Sequence, residues 1–394
     1  MSIVPMLSLR YSLVATAVVA LAACANTTPT PRQSSYYLSV QDGRAGLTDG
    51  KPVVRQSGDT LAVIELSGGH LRVAQQIAIP TSLVGPPSSI AVTPNGRMAL
   101  VSAATRRDPA DASKVIPYNL VSIVALDPSG ATAPRVVGSV HTGAGASGIS
   151  INRAGNLALV ANRVEGSVSV LAIDGEKVEA LGKVQLGEKA GPAHVAFTPD
   201  GRRALVSRDG DNRVSLLAIE GRSVALEQRD LYAGLRPYGL DISPDGAWAA
   251  VTNLGGGQGD ADTVSLIDLR AKQPRVVDTV TVGQTPEGIF FSPDSRLVGV
   301  TVIDGSNKPQ SSSFHGTARY RLFSIDDGRL RPTAQVAGGQ WLQGHAFSPD
   351  GSAVLVQDAA NRQIRLYHNT SGTLADSGER LQMDGAPSAL KLWR

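Results

Sequence analysis

Between residues 85 and 360 the chain repeats one hydrophobic phrase six times: a Pro/Gly-rich lead-in, an alternating apolar strand, a Pro-Asp-Gly-like turn and a second apolar strand. The turns are Thr93-Pro94-Asn95-Gly96, Asn152-Arg153-Ala154-Gly155, Thr198-Pro199-Asp200-Gly201, Ser243-Pro244-Asp245-Gly246, Ser292-Pro293-Asp294-Ser295 and Ser348-Pro349-Asp350-Gly351. In His194-Val195-Ala196-Phe197-Thr198, Val195 and Phe197 share one sheet face while His194 and Ala196 share the other. Pro presets φ for the turn and Gly tolerates positive φ. Arg203 to Ser207 reads as the returning strand, Arg213 to Ile219 as a third, and Ser223 to Leu226 as the start of an outermost one. Each phrase is therefore a four-stranded antiparallel meander. Successive turns lie 45 to 59 residues apart, in or just above the range of propeller blades.

Two orphan segments complete the pattern. Pro387 to Trp393 has a lead-in and a first strand, and Tyr36 to Val40, Thr60 to Leu66 and Leu71 to Ala74 supply three more. Joined, they make a seventh blade shared between the termini, which removes the exposed sheet edges that invite aggregation. The expectation is an all-β, seven-bladed propeller. A six-bladed ring with a decorated N-terminus is the other reading.

The N-terminus carries a separate signal. Arg10 precedes the apolar run Tyr11 to Ala20 and then Leu21-Ala22-Ala23-Cys24, too short for a confident membrane span and ending in small residues. This reads as a lipoprotein signal peptide over residues 1–23, with Cys24 as the lipid attachment point. Cys24 is the only cysteine, so no intrachain disulfide can form. Residues 24–35, rich in Thr, Pro, Gln and Ser, read as a flexible tether, and 36–394 as the propeller. The address implied is the cell envelope, at the outer membrane facing the periplasm in a Gram-negative host, held to the membrane by lipid. A formal net charge of +3 and the lack of a basic stripe with interleaved aromatics give no case for nucleic acid.

Ala250-Val251-Thr252-Asn253 followed by Thr263-Val264-Ser265-Leu266-Ile267-Asp268 resembles the YVTN repeat of surface and envelope propellers. Gly191-Pro192-Ala193-His194-Val195-Ala196-Phe197-Thr198-Pro199-Asp200-Gly201 is similar to the lactonase-like propellers, which include the propeller-type 6-phosphogluconolactonases and fungal carboxymuconate-lactonising enzymes. Together the resemblances cover residues 36 to 394. That family usually has Gly-Pro-Arg-His in the lead-in and Asn-Glu after the second strand; here Ala193 replaces the arginine and Arg208-Asp209 fills the Asn-Glu slot. The resemblance implies His194, Asp209 and Arg208 as catalytic candidates, with Asp209 a shortened carboxylate for proton transfer and Arg208 the replacement charge for an anionic substrate.

The Pro-Asp-Gly end of the ring is plain, whereas the loops between second and third strands vary from Arg163–Gly166 to Asp304–Thr317. They share one face with the strand-one lead-ins, and binding residues concentrate on loops held by a rigid scaffold. His194 stands where other repeats have Ser89, Gly148, Gly239, Gly288 and Gly344. His345 stands in the slot of Ile90, Val195, Leu240 and Ile289, the place of a packed core residue, and with Arg236, Tyr238 and Glu287 is a candidate of the ligand face. Asp209-Gly210-Asp211-Asn212 and the glycine-rich 255–262 loop space carboxylates two apart, but neither completes a calcium loop, and no metal or cofactor is assigned. The sequence contains no Cys-x-x-Cys-His, no Gly-x-Ser-x-Gly and no phosphate-cradling loop. Two functions fit: a binding scaffold for a protein, glycan or small molecule at the channel mouth, or a lactonase-like enzyme acting on a small carboxylated substrate.

Overall fold

The computed structural model describes residues 1–2, 34–83 and 85–394, so the leader, Cys24 and most of the tether lie outside the described residues. Among the described residues there is no helix, and seven four-stranded antiparallel sheets form a ring. Blade 1 begins with Ile90–Val92, blade 2 with Ala146–Ile151, blade 3 with Pro192–Phe197, blade 4 with Pro237–Ile242, blade 5 with Pro286–Phe291 and blade 6 with Leu342–Phe347. Blade 7 is built from Ala386–Leu392, Ser35–Asp42, Thr60–Ser67 and His70–Ala78, in that order from the centre outward. The ring is closed by both ends of the chain, with Tyr37 opposite Leu392 and Ser39 opposite Leu390. Trp393 Nε1 donates to the Gly96 carbonyl of blade 1 at 2.7 Å, and the Tyr36 amide donates to the Arg394 carbonyl at 2.7 Å.

The apolar strands are explained by where the core lies. Each sheet is sandwiched between two others, so both faces of a strand need apolar residues. Leu205 and Leu216 of blade 3 pack towards blade 4 against Leu240 and Val251, while their neighbours Val206 and Leu217 pack towards blade 2 against Leu157 and Leu159. Among the described residues seven such clusters occur, one in each gap between blades. The turn phrase repeats with the same bonds. Thr198 Oγ1 donates to Asp200 Oδ1 at 2.6 Å, that oxygen accepts the Arg202 amide at 3.0 Å, and Gly201 takes φ +69°. Ser295 holds the glycine position of blade 5 at φ +64°, a conformation uncommon for a side-chain-bearing residue.

Two extensions break the regularity. The second and third strands of blade 1, Met98–Arg107 and Val115–Ala125, run on past the others, with Arg107 still paired to Val115. Blade 7 carries an extra hairpin, Ala45–Thr48 and Lys51–Val54, in the loop between its second and third strands. Asp49 and Gly50 at its tip both have positive φ, as a two-residue hairpin turn requires. The hairpin leans over blade 6 to blade 5, where Asp49 Oδ1 accepts the Gln310 amide at 2.8 Å.

Candidate active site at the channel mouth

Side-chain hydroxyls stitch the innermost strands together. In blade 4, Thr252 Oγ1 accepts the Gly239 amide of its own blade at 2.8 Å and donates to the Glu287 carbonyl of blade 5 at 3.0 Å. Thr301 does the same with the Gly288 amide at 2.9 Å and the Gln343 carbonyl at 2.7 Å. Ser207 links the His194 amide to the Tyr238 carbonyl in the same way. The threonine of the YVTN-like repeat is thus a clamp between blades. The glycines beside the clamp are required by close approach: a Cβ on Gly239 would stand 2.1 Å from the Glu287 carbonyl oxygen. The clamp engages only backbone of the residue it receives, so the residue two places before the slot of Ile90, Val195, Leu240 and Ile289 in each blade keeps its side chain outside the clamp, at the inner edge of the ring. These residues are Ser88, Ser147, Ala193, Tyr238, Glu287, Gln343 and Ser388. Bulky polar groups occupy three consecutive blades and small ones the remaining four.

The three bulky groups meet charges carried by the loops. Gln343 Nε2 donates to Glu287 Oε2. Arg163, directly after the second strand of blade 2, makes a salt bridge to Asp209, directly after that of blade 3, and its guanidinium stands 5.5 Å from the Tyr238 ring centre. Arg236 approaches the same Asp209 carboxylate at 3.5 Å and donates to the Gly255 carbonyl at 3.4 Å. Burial raises the Glu287 carboxyl to about 7, against the pull of the Gln343 hydrogen bond and of Arg163 and Arg236. Glu287 nevertheless keeps partly exposed surface, as a group in a narrow wet channel does. Burial and the Glu287 charge raise the Tyr238 phenol above its ordinary range, so it stays a neutral hydrogen-bond donor. Two guanidiniums, a fixed carboxylate, a phenol and a carboxyl titrating near neutrality can bind an anionic ligand and exchange a proton with it.

Arg236 adopts φ +58°, and the equivalent Thr285 and Trp341 adopt +57° and +56°. The corresponding positions in blades 2 and 3 are Gly145 and Gly191. A left-handed backbone costs a side-chain-bearing residue about 1–2 kcal/mol, a strain that collects at functional sites. At Arg236 the strained backbone carries a guanidinium into the cluster.

The sequence candidates separate into different environments. Asp209, Arg236, Tyr238 and Glu287 come together, but Asp209 is occupied as the anchor of two arginines. Arg208 points elsewhere. It is buried, donates to Ser215 Oγ at 2.9 Å and the Leu186 carbonyl at 3.2 Å, and pairs with Asp211. It fills the place that Asn162 and Asn253 fill in blades 2 and 4, where the amide ties strands together. His194 is 6% exposed, its Nδ1 accepts the Leu240 amide at 3.3 Å, and burial with the Lys391 charge lowers it to about 3. The neutral ring is wedged between blades, so His194, Arg208 and Asp209 do not form a triad. His345 is not on the ligand face. It is 1% exposed, edge-on to Tyr320 at 4.9 Å and Phe290 at 5.0 Å, and burial lowers it to about 3. Arg163 and Gln343 are the residues that sequence reasoning passed over. Their signal was a bulky side chain at a repeat position that four of the seven blades give to Ser or Ala for Gln343, and the first loop residue after strand two for Arg163.

Residues 128–236 match the family described as lactonase, 7-bladed beta-propeller. The chain is a seven-bladed propeller with a stretch similar to the lactonase propellers. The matched stretch holds Arg163, Asp209 and Arg236 but ends before Glu287. Among solved structures, a periplasmic gluconolactonase of Pseudomonas aeruginosa superposes with a TM-score of 0.69 at 20% identity, covering 91% of this chain and 99% of that one. A proposed 6-phosphogluconolactonase of Bacteroides uniformis gives 0.71 at 16% identity, with the same coverage. A functionally unknown protein of Desulfotomaculum acetoxidans gives 0.64 at 13%, covering 91% and 98%. At these identities the likeness of the chain to its neighbours is one of fold. No curated protein matches the chain.

Proposed function

We propose that the channel mouth hydrolyses a lactone that carries an anionic group, with Glu287 as the proton-transferring carboxyl. The observation behind this reading is a carboxyl that burial raises to about 7 within the field of two guanidiniums held on Asp209, in a ring similar to the lactonase propellers. A scaffold that only captures a ligand would use the same mouth. A carboxyl titrating near neutrality favours chemistry over capture, because it can both take and return a proton at that pH. In the proposed reaction ionised Glu287 removes a proton from water as the water oxygen bonds to the lactone carbonyl carbon. N–H groups of Arg163 and Arg236 face the oxyanion or the substrate's own anionic group. The ring C–O bond then breaks and protonated Glu287 returns its proton to the departing alkoxide, leaving a hydroxy acid that loses its carboxyl proton to solvent. Tyr238 supplies a further donor from the same side.

The test is hydrolysis of a panel of γ- and δ-lactones, carboxylated and uncharged, by the purified protein and by Glu287→Gln. General-base loss predicts a fall of about 10²–10⁴-fold for the variant. The wild-type rate should rise with pH through about 7, the range of the Glu287 carboxyl. Carboxylated lactones turned over at the wild-type rate by Glu287→Gln would dispose of the proposal.

We propose also that the protein works outside the cytoplasm, held to the envelope membrane by lipid on Cys24. The cysteine behind a small-residue cleavage signal supports this, as does the periplasmic description of the Pseudomonas aeruginosa neighbour. Such an enzyme would meet substrates other than cytoplasmic sugar phosphates. Metabolic labelling with a fatty acid should mark the wild type and not Cys24→Ala, and the variant should leave the membrane fraction.

A further inference from the structure

The extended hairpin of blade 1 and the foot of the blade 7 hairpin enclose a cleft of about 440 Å³, within the range of small-ligand sites. Its walls belong to blades 7 and 1, whereas the Glu287 cluster is carried by blades 2 to 6. Three arginines border it, Arg44, Arg106 and Arg107, against one carboxylate, Asp59. Asp59 is already engaged: it pairs with Arg44 at 3.4 Å and accepts the Gly43 amide at 3.0 Å. Arg107 donates one Nη2 hydrogen bond to the Arg44 carbonyl at 3.2 Å, and its Nε is buried with no hydrogen-bond partner. Arg106 lies over the Tyr118 ring, 4.5 Å from its centre. Among the described residues neither Arg106 nor Arg107 has a carboxylate partner. Beneath the charged rim the floor is apolar, formed by Ile79 and Leu83, both buried.

From these features we infer that the cleft is a second ligand site, taking a carboxylate borne on a ring with an apolar face. Two guanidiniums without counter-charge are matched by a carboxylate, which accepts their paired N–H groups in a fork. The apolar floor and the Arg106–Tyr118 stack would be left wet by a bare inorganic anion, and are covered by a ring that lays an apolar face on them and carries the charge at its edge. The same chemistry is offered by an aromatic acid and by a sugar uronate.

Calorimetric titration of the full chain with benzoate and with galacturonate, each beside its neutral counterpart benzamide or galactose, tests the inference and separates the two sources. Binding of either acid without its neutral counterpart is expected. The double variant Arg106→Ala/Arg107→Ala should weaken that binding by about tenfold or more, the usual yield of charge-assisted hydrogen bonds. Arg236→Gly, at the channel mouth, should leave it unchanged, so failure of the lactonase reading and failure of this one are told apart. Arg106→Glu is a second variant at an exposed position and should abolish binding with an unchanged melting temperature. The inference is overturned if neither acid binds the wild type, if neutral rings bind equally, or if the arginine variants bind as the wild type does.

Discussion

The interblade clamp at Thr252 can be removed almost without change of shape by Thr252→Val. The hydroxyl is fully buried, accepts the Gly239 amide at 2.8 Å and donates to the Glu287 carbonyl at 3.0 Å. Valine fills the volume but leaves a buried N–H and a buried carbonyl without this partner. At about 1–3 kcal/mol for a stranded buried group, with a smaller share for the carbonyl, the loss is about 2–4 kcal/mol. Unfolding entropy of about 2.1 cal/mol/K per residue gives a ring of roughly 360 residues about 0.76 kcal/mol/K, so the melting temperature should fall by about 3–5 °C. Scanning calorimetry at one scan rate measures this, with Thr252→Ser, which keeps the hydroxyl, as the control. The serine variant should stay within about 1–2 °C of the wild type, since it loses only a methyl group. Because the clamp also fixes the backbone of Glu287, the valine variant should shift the pH midpoint of lactone turnover as well. A valine variant that melts within about 1 °C of the wild type would refute the clamp as a source of stability.

Other perturbations address the site and its neighbours. Arg236→Gly relieves a left-handed residue at the price of chain entropy and a half-exposed ion pair, so stability should change by no more than about 1 kcal/mol while turnover of carboxylated lactones drops, checked by denaturant titration beside kinetics. A carboxyl raised from 4.5 to about 7 on folding lends stability that is present below pH 4.5 and lost as pH rises through 7. The melting temperature of the wild type should therefore fall more between pH 5 and 8 than that of Glu287→Gln, and equal falls would contradict the raised carboxyl. Arg208→Ala should destabilise by about 2–3 kcal/mol through its lost buried hydrogen bonds, with hydrolysis per folded molecule unchanged. Loss of turnover without loss of stability would return Arg208 to the catalytic machinery.

The ring could be read from the chain because its determinants are local. Apolar alternation, the Thr/Ser-Pro-Asp-Gly turn and the spacing of its copies all lie within one blade, and closure follows from two fragments that complement each other. The hairpin at residues 45–54 was not legible, since Gly46, Gly50 and Pro52 interrupt any alternation. The site was legible only in part. Glu287, Tyr238, Arg236 and Asp209 could be placed on the right face, but the burial that raises Glu287, and the partners Arg163 and Gln343 that pull against it, come from other blades once the ring is closed. Family slots misdirected the reading at Arg208, where the slot's structural duty of tying strands together is met by a guanidinium in place of an amide. At His345 the aliphatic slot was the better guide to its burial.

The clamp has an evolutionary consequence. Because Ser207, Thr252 and Thr301 grip backbone atoms of the residue they receive, natural selection can exchange that residue's side chain with little effect on the framework. The ring then behaves as a circle of interchangeable sockets around one axis. New specificities could arise by swapping Tyr238, Glu287 or Gln343 one at a time, each variant inheriting a folded scaffold. Such modularity gives a physical reason why propellers sharing under a quarter of their residues can keep one architecture.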